Sequence, residues 1–339
     1  MSARQFEKRR IAQTDLEVTT LGLGGASLAG IFSAVPGDQA RATVAHALAM
    51  GINYVDTAPQ YGLGRSEHLV GEMVGNADPR PIISTKVGRL LRPTPSDQQD
   101  KGNWIDPLPF NQHYDYSYDG VMRSFEDSLQ RLGLDRVDIL YVHDIGVATH
   151  GVEANRPLWN QLATGGYKAL RELRDSGVVK AIGLGVNEWE VLMDAFALGD
   201  WDVFLLAGRY TLLEQTSLDP FLSTCIERNA SVVIGGPFNS GILVGGDKFN
   251  YERAPEAVVA KVKAIEAVCR DFGVPLPAAA LQFPLTHPTV CNVLPGPRSP
   301  QELDGILDWW DVQIPDDLWS SLAEKGLLAA GTPIPGGSA

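Results

Sequence analysis

Residues 179–207, VKAIGLGVNEWEVLMDAFALGDWDVFLLA, read as strand, helix, strand. An apolar run (179–186) leads into a helical segment (188–198) and then a second apolar run (203–207). Strands apolar along their whole length belong to a parallel sheet buried on both faces. The same alternation continues in both directions. Strands are predicted at 21–25, 52–56, 81–86 and 137–143 upstream, and at 231–235 and 290–294 downstream. Helices are predicted at 38–50, 66–74, 117–132, 158–175, 219–229, 255–272 and 300–310. Every predicted strand is thus followed by a helix. Right-handed crossovers and eight βα units suit a closed (β/α)₈ TIM barrel in the α/β class; a doubly wound sheet has about six strands. Segment 7–19 reads as a β-hairpin with its turn near Thr14-Asp15, placed to cap the barrel bottom.

The 339 residues suggest about two domains at roughly 150 residues each. No linker or composition break divides them, so one barrel domain spanning 1–339 is expected. The extra length falls in three long loops after strands, at 88–116, 145–156 and 237–253, on the C-terminal face where barrel active sites lie. The Gly/Pro/Ser tail, 331–339, is expected to be flexible.

The formal charge of −13 argues against nucleic acid and anionic membranes as partners. Three widely spaced cysteines, Cys225, Cys269 and Cys291, support neither a disulfide framework nor a zinc ribbon, and each reads as a buried thiol. The six histidines show no metal-ligand spacing, which disfavours a metal-dependent hydrolase. With no apolar leader in MSARQFEKRR and no apolar stretch of about 18 residues, a cytoplasmic location is expected.

Four polar residues fall at or just past successive strand ends: Asp56 and Tyr61 in VDTAPQYG, Lys86 in IISTK and His143 in ILYVH. Together they form a proton-transfer device. Tyrosine, with a pKa near ~10, is a weak acid or base at neutral pH. A nearby ammonium would lower that pKa, and Asp56 would keep Lys86 charged. Neutral His143 would place a substrate oxygen beside the Tyr61 hydroxyl.

INYVDTAPQYG, STK and LYVHD together resemble the aldo-keto reductase signature, and LGLGG, IGLGVN and VLPGPRSPQEL extend the resemblance along the chain. It implies a barrel that binds NAD(P) without a Rossmann unit. Tyr61 becomes the general acid/base, Lys86 and Asp56 tune it, and His143 orients substrate. Gly25, with Asp56, would let the nicotinamide approach the first strand. Asn187 matches the usual carboxamide contact. The family's aromatic stacking position aligns with Gly235, leaving Phe238 or Tyr210 to compensate. Gly236, Pro237, Phe238, Asn239, Ser240 and Gly241 match the pyrophosphate loop. Gly296 and Glu302 stand where NADP users carry Lys and Arg. Glu302 would repel a 2′-phosphate while Arg298 could reach one, and the balance favours NAD over NADP.

YDYSYDGVMRSFEDSLQRLGLDRVDILYVHD and LLAGRYTLLEQ are similar to the family branch of D-threo-aldose 1-dehydrogenases (L-fucose or L-galactose dehydrogenases) and pyridoxal 4-dehydrogenase. That implies oxidation of the anomeric C–OH of a cyclic hemiacetal, a sugar or pyridoxal, to the lactone. Tyr61 and His143 would touch substrate. Trp104 and Tyr114, with Phe110, His113 and Tyr116, would wall the pocket. Two alternatives stand beside this: a broad NADPH-dependent aldehyde or ketone reductase, and a non-catalytic cofactor-binding regulatory subunit. The expected assembly is a monomer or small homo-oligomer.

Overall fold

The computed structural model describes residues 3–336. Eight parallel strands form the central sheet, numbered here along the chain: β1 Leu23–Gly24, β2 Tyr54–Asp56, β3 Ile82–Val87, β4 Ile139–His143, β5 Ala181–Val186, β6 Val203–Ala207, β7 Ser231–Gly235 and β8 Val290–Leu294. Neighbours in sequence are neighbours in the sheet. A parallel bridge from Leu21 to Val293 joins the two outer strands, with Gly22 N–H donating to Val293 and Gly24 N–H to Pro295. The predicted barrel is therefore closed.

The hairpin Lys8–Arg10 with Glu17–Thr19 pairs antiparallel, as expected. Ile11, Leu16 and Val18 pack with Tyr54, Ile139, Ala181 and Val203, which begin four of the barrel strands. The hairpin thus plugs the bottom and leaves the C-terminal face open for chemistry.

All three predicted loops carry secondary structure of their own. Segment 145–156 is largely helical: Val147–Gln161 forms a helix with a non-helical residue at Gly151 and Pro157 inside it. None of its residues is fully buried, so it lacks the apolar stripe that marks a helix in sequence. Segment 88–116 contains a β-hairpin, Arg89–Pro93 with Phe110–Tyr114. Segment 237–253 holds a tight turn, Asn239–Val244, and a short hairpin, Lys248–Phe249 with Glu252–Arg253. Helices Leu276–Gln282 and Asp316–Glu324 were not predicted; both lie outside the one-helix-per-strand count. Of the predicted flexible tail, 337–339 lie outside the described residues. No helix among the described residues is long and apolar enough to cross a membrane. All three cysteines are free and buried, as read from sequence.

Candidate active site

Asp56 and Lys86 sit at the C-terminal ends of β2 and β3 and are 3% and 1% exposed. Lys86 Nζ donates to Asp56 Oδ2 at 2.7 Å and Oδ1 at 2.8 Å, to the Thr57 carbonyl at 2.9 Å and to the Tyr61 hydroxyl at 3.0 Å. Those contacts use all three ammonium donors. Its stem passes β5 at Gly185, where a Cβ would lie 3.2 Å from Lys86 Cε. From inside the barrel, Ser84 Oγ donates to Asp56 at 2.7 Å and also meets the Tyr54 hydroxyl at 3.0 Å. The carboxylate is therefore fixed from two sides.

Tyr61 reaches this pair from the loop after β2. Its amide donates to Ala58, its carbonyl accepts from Ser66 N–H, and Ser66 Oγ donates to the Gly25 carbonyl. The ammonium lies 4.6 Å from the Tyr61 ring centroid, and the His143 ring stands edge-on at 5.8 Å. Because the phenolic oxygen accepts from Lys86, its proton is free to point at a substrate. Trp104 packs 5.9 Å from the same ring. The four residues picked from sequence thus converge, with Trp104 beside them.

Burial pushes the Tyr61 hydroxyl well above 10; Asp56, Asp144 and Tyr251 push the same way and Arg89 opposes. The expectation of a lowered Tyr61 pKa is corrected here, because desolvation and two carboxylates dominate. Burial also lowers the Lys86 pKa, with Asp56 resisting. His143 is held well below 6.5 by burial, then by Arg89 and Lys86, so it is neutral as expected. The Asp144 carboxylate lies 3.5 Å from His143 Nε2, which favours the tautomer protonated there.

Several cofactor expectations change. Gly25 is buried and closed off: a Cβ would meet Ser66 Oγ at 2.6 Å and the Asp56 carbonyl at 2.7 Å. The groups that approach Gly25 are the Ser66 hydroxyl and the Asp56 backbone carbonyl. Tyr210 is fully buried against Phe283 and His287, away from the mouth, so it is no stacking partner. Phe238 turns onto Trp309 at 5.8 Å. The Asn239 side chain accepts from Thr211 Oγ1 and donates to the Gly208 carbonyl, and its backbone N–H donates to the Gly236 carbonyl. Tyr114 packs under Arg89 and against His150. Tyr116 is fully buried and donates to the His143 carbonyl at 2.7 Å, while His113 is exposed.

The remaining cofactor candidates lie after the ends of β5, β7 and β8. Asn239, Ser240 and Gly241 have φ of 46°, 60° and 101°, and the turn is closed by its own backbone, with Asn239 N–H donating to the Gly236 carbonyl and Gly241 N–H to the Phe238 carbonyl, both at 3.0 Å. Gly236 is exposed with open space where a Cβ would be, and Pro237 is buried beneath the turn. Asn187 follows β5, and exposed Gly296 follows β8. Arg298 pairs with Glu302 at 2.8 Å and donates to Ser33 Oγ at 3.0 Å.

Sequence reasoning missed three mouth residues. Arg89 is 3% exposed and pairs with Asp144. Tyr251 donates its hydroxyl to Asn187 Oδ1 at 3.2 Å, and its amide donates to Ser240. Asn187 Nδ2 in turn donates to Asp144 at 3.2 Å. The one available signal was Asp144, which directly follows His143. A cleft of about 650 Å³ opens beyond Asn187, lined by Glu188, Arg209, Glu214 and Asn250; it does not touch Tyr61, so the chemistry is placed by the side chains above.

The aldo/keto reductase family model matches residues 20–326. The chain is 45% identical to a pyridoxal 4-dehydrogenase of Microbacterium luteolum, over 97% of this chain and 100% of that protein. It is 36% identical to a D-threo-aldose 1-dehydrogenase of a Pseudomonas species, over 94% and 97% respectively. An aldo-keto reductase structure from Bacillus halodurans superposes with a TM-score of 0.75 at 21% identity, covering 97% of this chain and 98% of that one. Matched along nearly its whole barrel, the chain belongs to the aldo/keto reductase family of oxidoreductases, which use a nicotinamide cofactor.

Proposed function

We propose that this protein is an NAD-dependent dehydrogenase that oxidises the anomeric C–OH of a cyclic hemiacetal to a lactone. The observation that carries this reading is the single ammonium, Lys86, bound to both the Asp56 carboxylate and the Tyr61 hydroxyl. The two relatives named for pyridoxal and for an aldose support the substrate class, since both compounds close to hemiacetals. Bound nicotinamide supplies the hydride acceptor. His143, neutral and protonated on Nε2, donates to the substrate oxygen and holds it beside Tyr61. Tyr61 takes the hydroxyl proton as the C–H bond breaks. Lys86 stabilises the phenolate that Tyr61 must briefly become, and Asp56 keeps Lys86 in place. The turn from Gly236 to Gly241 would lie along the pyrophosphate, with Asn187 at the carboxamide.

The pH dependence follows from these directions. A phenol whose pKa is raised is protonated at neutral pH, and its basic form grows about tenfold per pH unit below that pKa. Oxidative kcat/KM should therefore climb from pH 7 to 10 without a plateau. No loss should appear near 6.5, because His143 titrates well below it. Rate profiles in both directions test this; an oxidative plateau below pH 8 would contradict it.

Glu302 supports NAD. It holds Arg298 in an ion pair, so a 2′-phosphate arriving there meets a carboxylate and a guanidinium already engaged. Glu302→Arg should raise the NADP/NAD ratio of kcat/KM about 10–100-fold, the worth of one charged hydrogen bond. An unchanged ratio in initial-rate assays would remove this contact from the account.

A further inference from the structure

The proton-transfer group rests on a layer of hydroxyls deeper in the barrel. Side chains two residues apart on a strand share a face. Two residues before Asp56, Lys86 and His143 stand Tyr54, Ser84 and Tyr141, each fully buried. Asp56 Oδ1 accepts from Ser84 Oγ at 2.7 Å, Ser84 Oγ lies 3.0 Å from the Tyr54 hydroxyl, and that hydroxyl lies 3.2 Å from the Tyr141 hydroxyl. Each hydroxyl has one proton, and an ionised carboxylate can only accept. Ser84 spends its proton on Asp56, so it accepts from Tyr54. Tyr54 is then spent on Ser84 and accepts from Tyr141. Burial holds both phenols well above 10, so both keep their protons. The bonds therefore run one way, from Tyr141 through Tyr54 and Ser84 to Asp56. The two tyrosines otherwise sit in an apolar cluster with Ile139, Val203 and Val233. Phenylalanine at both positions would fill the same space, and apolar replacement of both partners of a buried hydrogen bond is often close to neutral in stability. Packing alone does not call for the hydroxyls.

We propose that Ser84, Tyr54 and Tyr141 are positioning residues for the reaction, a one-way hydrogen-bond chain that draws the charge of Asp56 toward the barrel interior and leaves more of the Lys86 ammonium for the Tyr61 oxygen. This rests on the roles given above to Asp56, Lys86 and Tyr61, and deepens them. Hydrogen bonds in a chain polarise one another, and a dry interior strengthens each. Without the chain, Asp56 turns its full charge on Lys86, and the Tyr61 phenolate loses stabilisation in both reaction directions. All three residues are sealed from solvent, so they act only through Asp56.

The test uses the full-length protein and the variants Tyr54→Phe, Tyr141→Phe and the two combined. Four quantities are read in each: the denaturant midpoint, the single-turnover rate of hydride transfer, the cofactor affinity, and the carbon-13 signal of the Asp56 carboxylate, assigned by its loss in Asp56→Glu. Tyr54→Phe should slow hydride transfer about 3–10-fold, the net worth of one hydrogen bond, with cofactor affinity within about twofold. It should also lower the midpoint, because the Tyr141 hydroxyl is left buried without a partner. The double variant removes that orphan. Its midpoint should return toward wild type, while its rate and its Asp56 signal stay at the Tyr54→Phe values. A merely structural Tyr54 makes the rate recover with the midpoint, and that result overturns the proposal. So does a wild-type rate or an unmoved Asp56 signal in Tyr54→Phe. If Tyr54→Phe does not fold, Tyr141→Phe still cuts the chain at its far end: a moved Asp56 signal supports the proposal and an unmoved one overturns it. Rates are taken with NAD and pyridoxal, L-fucose, L-galactose or D-arabinose, and with NADPH and benzaldehyde. Oxidation of none of the four sinks the hemiacetal reading alone. Benzaldehyde reduction then gives the same comparison, since Tyr61 donates there the proton it takes in oxidation. The Asp56 signal needs no substrate, so with no turnover at all it decides the matter by itself.

Discussion

Tyr61→Phe is expected to lower turnover by about 10²–10⁴-fold, the usual contribution of a positioned acid or base. The ring stays and the hydroxyl goes. Packing against Trp104 at 5.9 Å and His143 at 5.8 Å is retained, so the fold and cofactor affinity should hardly change. The loss should appear in kcat rather than KM, because the hydroxyl acts on the proton in flight. Pre-steady-state turnover together with cofactor titration by fluorescence separates the two quantities. Wild-type turnover by this variant would remove Tyr61 from the mechanism.

The second large effect concerns stability. Asp56→Asn should destabilise the protein by about 3–5 kcal/mol, as removal of one member of a buried ion pair does. The substitution leaves the Lys86 ammonium, 1% exposed, without its counter-charge. It also sets an amide where both Lys86 Nζ and Ser84 Oγ donate, at 2.7–2.8 Å, to a carboxylate. An amide oxygen in the Oδ1 place keeps both donors, but the amide NH₂ in the Oδ2 place then faces the Lys86 ammonium, donor against donor. Denaturant midpoints with an unchanged m-value measure the loss. Turnover should fall as well, because an unpaired buried Lys86 tends toward the neutral amine and no longer favours the Tyr61 phenolate. A loss below about 1 kcal/mol would mean that the pair is far better solvated than its burial indicates.

Much of this was legible in sequence because parallel barrel strands are continuous apolar runs. Segments 203–207, 231–235, 290–294 and 300–310 coincide with the observed elements. The proton-transfer group was legible for a related reason: polar residues that end such runs are conspicuous. Helix Val147–Gln161 was not, since it buries no residue fully and carries both Gly151 and Pro157. The hairpin Arg89–Pro93 with Phe110–Tyr114 was hidden because 16 residues separate its strands and neither alternates cleanly. Arg89 and Asp144 lie 55 residues apart, and each alone reads as an ordinary surface charge. Only the fold buries them together. Tyr210 and Phe238 failed as stacking candidates because an aromatic residue near a strand end can turn into the helical shell, and both do. The Tyr61 environment illustrates the same limit. Sequence showed the lysine that would lower its pKa, while the burial that raises it belongs to the folded state.

The measurement that tests the central claim most directly is product analysis with NAD. The wild-type protein is incubated with pyridoxal, L-fucose, L-galactose or D-arabinose, and both NADH and the carbon product are followed. The account predicts NADH formation matched mole for mole by lactone from at least one of these hemiacetals, at a higher kcat/KM with NAD than with NADP. Reduction of open-chain aldehydes by NADPH, with no lactone formed from any of the four, would contradict it.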